Sequence, residues 1–173
     1  MFLSFFFSWF VIEVLTSQNF GSGVTGVAFH PTKNLVASCS FDKSVKLWNA
    51  DSGAELWTVS VDGQVWSVDW SPCGNKLSAA CNNFDDDSYS VKIFSKEGST
   101  GNFVCQSTLN VDSAVWRVHW SPCGTKIAAA CNDYDTDNYC VKILNSETGA
   151  LLCALRGCRY APSLSKECFL SFG

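Results

Sequence analysis

Residues Val65 to Cys81 read VWSVDWSPCGNKLSAAC, and residues Val115 to Cys131 read VWRVHWSPCGTKIAAAC. Twelve of these seventeen positions are identical, at an offset of 50. The match runs on through an acidic stretch, NNFDDDSYS against NDYDTDNYC, into VKIF against VKIL. A more divergent third copy lies upstream as VTGVAFHPTKNLVASCSFDKSVKLW, shorter by four residues in the acidic stretch and by one in the turn after Pro31. Self-similarity at such a period marks a chain of stacked supersecondary units, none of which buries its apolar face alone.

Each copy has the same internal grammar. The alternation Trp66, Val68, Trp70, repeated as Trp116, Val118, Trp120, puts aromatic and branched side chains on one face of a first strand. Ser-Pro-Cys-Gly at Ser71 and Ser121 supplies a turn, because proline presets φ and glycine tolerates the left-handed region. A second strand (Leu77 to Cys81, Ile127 to Cys131), the acidic loop, a third strand (Val91 to Phe94, Val141 to Leu144) and a fourth (Phe103 to Leu109, Ala150 to Leu155) follow. The fold class expected is all-β, with tandem four-stranded antiparallel meanders.

These residues resemble the WD-repeat β-propeller family, whose blades are about 40 to 45 residues long. The first copy carries the resemblance most fully, in Val27-Ala28-Phe29-His30-Pro31, Leu35-Val36-Ala37-Ser38 and Phe41 to Asn49, where Asp42 and Trp48 match the family's turn aspartate and strand-ending tryptophan. The resemblance spans residues 11–157, in copies of about 11–60, 61–110 and 111–157. It implies a non-catalytic scaffold for protein partners. The sequence also departs from the family. No histidine stands near Asn19-Phe20, Ser60-Val61 or Asn110-Val111, where the Gly-His dipeptide would fall, and the closing Trp-Asp is Trp48-Asn49, Phe94-Ser95 and Leu144-Asn145. The expectation is therefore that the family's buried hydrogen-bond network does not form.

Composition narrows the function classes. Apolar residues make up 47% and charged residues 16% of the 173, against roughly 25% charged in an average soluble protein, so the chain must bury most of what it has. The net charge is −4 with no lysine or arginine cluster, which argues against nucleic acid. The ten cysteines form no CxxC pair and several recur at repeat positions, so they read as reduced thiols in a cytoplasmic protein. No nucleophile elbow, phosphate-binding loop or dinucleotide turn is present, so neither an enzyme nor a cofactor is expected.

The termini do not repeat. Residues 1–10 are an apolar leader; Val11 to Ser17 reads as a strand, while a signal or anchor remains an open alternative. Against that alternative, no lysine or arginine precedes Lys33, and Glu13 cuts the apolar run short of a spanning helix. Residues 158–173 form a tail with no repeat pattern. Three blades are fewer than the 4 to 8 of closed propellers. Either a second copy or another chain completes the ring, or the chain is a partial product.

The candidate partner-binding residues are Trp66 and Trp116, at matching places in the first strand, and two acidic loops, Asp85, Asp86, Asp87 and Asp133, Asp135, Asp137. Equivalent loops of neighbouring blades emerge on one side, so these carboxylates are expected to gather into a rim, which reads first as solvated turns and second as a surface for a basic peptide. The two tryptophans read first as core filler, and as a partner surface second. The Asp133-x-Asp135-x-Asp137 spacing starts like a calcium loop, but Asn138 replaces its glycine and Leu144 its bidentate glutamate, so no metal is expected. Cys39, Cys81 and Cys131 read as small buried positions closing the second strand; Cys73 and Cys123 read as exposed turn thiols without a base to activate them.

Overall fold

The computed structural model describes residues 22–98, 102–133 and 138–158; the expected strand at Val11 to Ser17 and the tail lie outside them. Among the described residues twelve strands form three four-stranded sheets, each a meander in chain order. The first blade contains β1 (Val24–Phe29), β2 (Leu35–Ser40), β3 (Ser44–Asn49) and β4 (Glu55–Ser60). The second contains β5 (Gln64–Trp70), β6 (Lys76–Asn83), β7 (Ser88–Lys96) and β8 (Phe103–Val111). The third contains β9 (Ala114–Trp120), β10 (Lys126–Asp133), β11 (Asn138–Asn145) and β12 (Leu151–Cys158). The sheets stand side by side and do not close a ring.

Local chemistry explains the hairpins. In the Ser-Pro-Cys-Gly turn the Gly74 N–H donates to the Ser71 carbonyl at 2.8 Å, and the Ser71 hydroxyl accepts the Lys76 N–H at 3.0 Å. The turn at Ser121 repeats both bonds at 2.9 and 3.1 Å. Gly74 and Gly124 sit at φ +71° and +72°, where a β-carbon would crowd the chain. Asparagine in place of the family's closing aspartate keeps an acceptor. Asn49 Oδ1 accepts the Asp51 and Ser52 N–H groups, and Asn145 Oδ1 those of Glu147 and Thr148, all at 2.9 Å.

The core lies between blades. Ala37, Cys39, Val45 and Leu47 of the first blade meet Val65, Val68, Trp70, Leu77 and Phe94 of the second. Ala80, Val91, Ile93 and Leu109 on the other face of the second blade meet Val115, Val118, Ile127 and Leu144 of the third. Period-2 alternation thus feeds two interfaces from one sheet, which is why the strands read as nearly continuous apolar runs.

Four expectations need correction. The turn after Pro31 has its full length, because Phe29 pairs with Val36 as Trp70 pairs with Leu77. Trp66 does not share the face of Val68 and Trp70, because a bulge between Val65 and Ser67 turns it toward the core shared with the third blade. Cys39, Cys81 and Cys131 are buried as expected, but none is the last residue of its strand, and Cys39 is not equivalent to the other two. It pairs with Gly26, whereas Cys81 and Cys131 pair with Val65 and Val115. The one-residue difference turns Cys39 to the opposite face, toward the second blade. The family's buried network is also not wholly lost, because the Trp48 indole N–H donates to Ser38 Oγ at 2.7 Å inside the first blade. In the other two blades Phe94 and Leu144 occupy that place, and a polar link of a different kind appears. Buried Lys92 reaches Asp62 at 3.1 Å, and buried Lys142 reaches Asp112 and Ser113.

Candidate functional site at the acidic end

Each inner strand begins at the end of its sheet where the second and third strands are joined. In the second blade Gln64 pairs with Asn82, and Asn83 with Ser88 across the loop. That end therefore gathers the first turn of each inner strand and the acidic loop.

Aromatic rings meet there from all three blades. Trp66 and Trp116 stand edge to face with centroids 4.4 Å apart. Phe41, from the β2–β3 turn, packs on Trp66 at 4.6 Å, and Phe84, from the acidic loop, at 6.3 Å. Tyr89 closes the chain against Phe84 at 5.8 Å. Trp66 and Trp116 are half-buried and Phe84 is exposed. Such edge-to-face pairs add roughly 0.5–1.5 kcal/mol beyond area burial, so the cluster ties the blades together. It also leaves a polar group unsatisfied, since the buried Trp66 Nε1–H has no hydrogen-bond acceptor among the described residues.

The carboxylates rim this cluster on one side. Asp85 faces Lys43 of the first blade at 3.9 Å, an exposed pair worth little on its own. Asp86 caps the loop by accepting the Ser88 N–H at 3.0 Å. Asp87 takes φ +54° and accepts the Tyr89 hydroxyl at 3.2 Å. The structure thus brings Trp66, Trp116 and Asp85 to Asp87 together. Of the second triad, the Asp133 side chain, Asp135 and Asp137 lie outside the described residues. Phe41, Phe84 and Lys43 were missed in the sequence reading; the only signal was their position in loops equivalent to the acidic one. Among the described residues no group of three or more metal-ligating side chains converges.

The opposite end carries the Ser-Pro turns and a different set of groups. His30 is buried between the first two blades, 4.7 Å from the Trp70 ring. Its Nδ1 accepts the Thr32 and Lys33 N–H groups at 3.1 and 3.0 Å, which leaves Nε2 to donate to the Gly74 carbonyl at 3.1 Å. Burial lowers its pKa, the bond to Gly74 opposes that shift, and Lys33 adds to it. Cys73 and Cys123 are exposed, as read from sequence. Their activation comes from hydroxyls. Ser121 and Thr125, at 3.3 and 3.0 Å, bring the Cys123 thiol down to about 7, and Ser71 lowers Cys73. Burial instead raises Cys39 to about 12 and Cys131 to about 11, and pushes Cys81 up as well.

Comparison with known proteins places this architecture. A curated relative, the probable cytosolic iron-sulfur protein assembly protein Ciao1 of Culex quinquefasciatus, is 30% identical over 92 residues, covering 50% of this chain and 25% of that protein. The chain therefore matches about a quarter of the relative's length. Among solved structures, the hydrazine synthase of Kuenenia stuttgartiensis superposes with a TM-score of 0.67 over 78% of this chain and 37% of that one; at 15% identity this likeness shows the fold alone. No helix among the described residues is long and apolar enough to cross a membrane. The family model described as "WD domain, G-beta repeat" matches residues 11–49, 54–95 and 103–143. The second and third matches each begin on an outer strand, β4 or β8, and run into the next blade, so one sequence repeat straddles two sheets. With most of its length so matched, the chain belongs to the WD40 repeat family.

Proposed function

We propose that this chain is a non-catalytic scaffold of the cytosol that holds a partner protein at its acidic end. The observation that supports this reading most is the juxtaposition of an aromatic cluster, with an unsatisfied indole N–H at Trp66, and the exposed carboxylates of Asp85, Asp86 and Asp87. Tryptophan at the centre of a patch with charges at its rim is the arrangement of protein-binding hot spots. The sign of the rim selects a basic segment. The family supports binding over chemistry, and the word "cytosolic" in the relative's name supports the location.

The test is fluorescence anisotropy with a labelled lysine- and arginine-rich peptide at low salt. Replacing Asp85, Asp86 and Asp87 together by asparagine is expected to weaken binding at least tenfold, with the thermal transition unchanged. Equal binding by the triple variant overturns the reading.

A further inference from the structure

The second and third blades are joined by a specific device. The Asn82 carboxamide donates from Nδ2 to the Val115 carbonyl and accepts the Val115 N–H at Oδ1, both at 2.9 Å. Around it, Ala80, Val91, Ile93 and Leu109 are all buried. Asn132 is the equivalent asparagine of the third blade, by the offset of 50 and by its pairing with Ala114 and Tyr139, as Asn82 pairs with Gln64 and Tyr89. It is 6% exposed, yet its Oδ1 has no partner among the described residues. The positions around it are uncovered: Ala130, Val141 and Ile143 are only half-buried and Leu155 is 56% exposed. A concavity lined by Trp116, Ala130, Tyr139, Val141 and Leu155 opens there.

The chain also carries the complementary half. Val65 and Val115, the two residues gripped across existing joints, pair with Cys81 and Cys131; Val24 of the first blade pairs with Ser40 in the same register. Thr25 grips the Val65 carbonyl at 2.5 Å at the first joint, so this main-chain position is the one held wherever two blades meet. Two residues after the first blade's Val27, Phe29 is 51% exposed, whereas its equivalent Trp70 is 5% exposed under a neighbouring blade.

We infer that the third blade of one copy docks the first blade of a second copy, with Asn132 clamping the main chain of Val24. Two such head-to-tail joints unite three blades with three and close a ring of six, a size within the normal range. Arg117 and His119 replace the acceptors Ser67 and Asp69, which take the Val118 and Trp120 N–H groups at the existing joint. The new joint therefore rests on the amide clamp and apolar contact. It shares Trp116 with the aromatic cluster but uses none of the carboxylates assigned to partner binding, so the two readings are tested by different substitutions.

Sedimentation velocity of the whole chain tests this. The wild-type chain is expected to run at twice its monomer mass. Leu155→Asp and Phe29→Asp each change an exposed side chain and spoil opposite halves of the joint, so each alone is expected to be monomeric with an unchanged thermal transition. Mixed in equal amounts they are expected to pair, because each supplies the face that the other lacks. Asn132→Leu is expected to weaken self-association at least tenfold. A monomeric wild-type chain at high micromolar concentration, an open series of masses, or variants that still pair alone but gain nothing on mixing overturns the inference.

Discussion

Asn82 holds both main-chain groups of Val115 with one side-chain amide, at 2.9 Å each, across the boundary between two blades. Its nearest relative in sequence, Asn132, is also buried, but its Oδ1 has no partner among the described residues. Removing Asn82 strands a buried N–H and C=O, and each such loss costs about 1–3 kcal/mol. Asn82→Ala should therefore lower stability in urea titration by about 2–4 kcal/mol. Asn132→Ala, at concentrations where the chain does not associate, should cost under about 1 kcal/mol. Equal losses would mean that the amide bonds do not join the blades.

Gly74 and Gly124 share one conformation and differ in surroundings. A β-carbon on Gly74 would lie 2.3 Å from the His30 ring, while one on Gly124 meets nothing closer than Pro72 at 3.7 Å. Gly124→Ala should cost only the left-handed backbone term, about 1–2 kcal/mol. Gly74→Ala should cost more than that, because the buried ring between the blades must also move. Comparison of the two thermal transitions checks the difference.

His30 makes the fold sensitive to mild acid. Its lowered pKa means that the folded state favours the neutral ring, which both N–H groups donating to Nδ1 require. The unfolded chain then binds the proton more readily, so this contribution is present above the ordinary value of about 6.5 and is lost as pH falls below it. Stability of the wild-type chain should decline from pH 7 to pH 5 more steeply than that of His30→Gln. Parallel profiles would show that the ring is free to protonate in place.

The thiols should alkylate in a set order. Cys123, exposed and brought to about 7 by Ser121 and Thr125, should react with iodoacetamide first at neutral pH. Cys73 should follow, and Cys39, Cys81 and Cys131, buried with raised pKa values, should react only on unfolding. Peptide mass spectrometry over time reads the order, and Ser121→Ala should slow Cys123.

Much of this was legible because the chain repeats. The match between the second and third copies placed every strand of two blades with its ends within three residues, since alternation and turn chemistry are local properties. The first blade was harder. Aligning Leu35 with Leu77 makes Cys39 look equivalent to Cys81, and only the ladder, which pairs Phe29 with Val36 as Trp70 with Leu77, puts Cys39 opposite Gly26 and on the other face. The site was half legible. Trp66 and Trp116 stood out by repetition, but Phe41 and Phe84 joined them through contacts between blades.

The repeat unit, its strand order and its place in a repeat family can be read from the amino-acid order alone, because they follow from periodicity, proline and glycine. Only the tertiary structure decided which face of each strand meets which neighbour, and so that Asn82 is satisfied while Asn132 is not. Two identical residues in matching local sequence differ because hydrogen-bond satisfaction depends on the adjoining blade, a relation between surfaces that strand patterning does not encode.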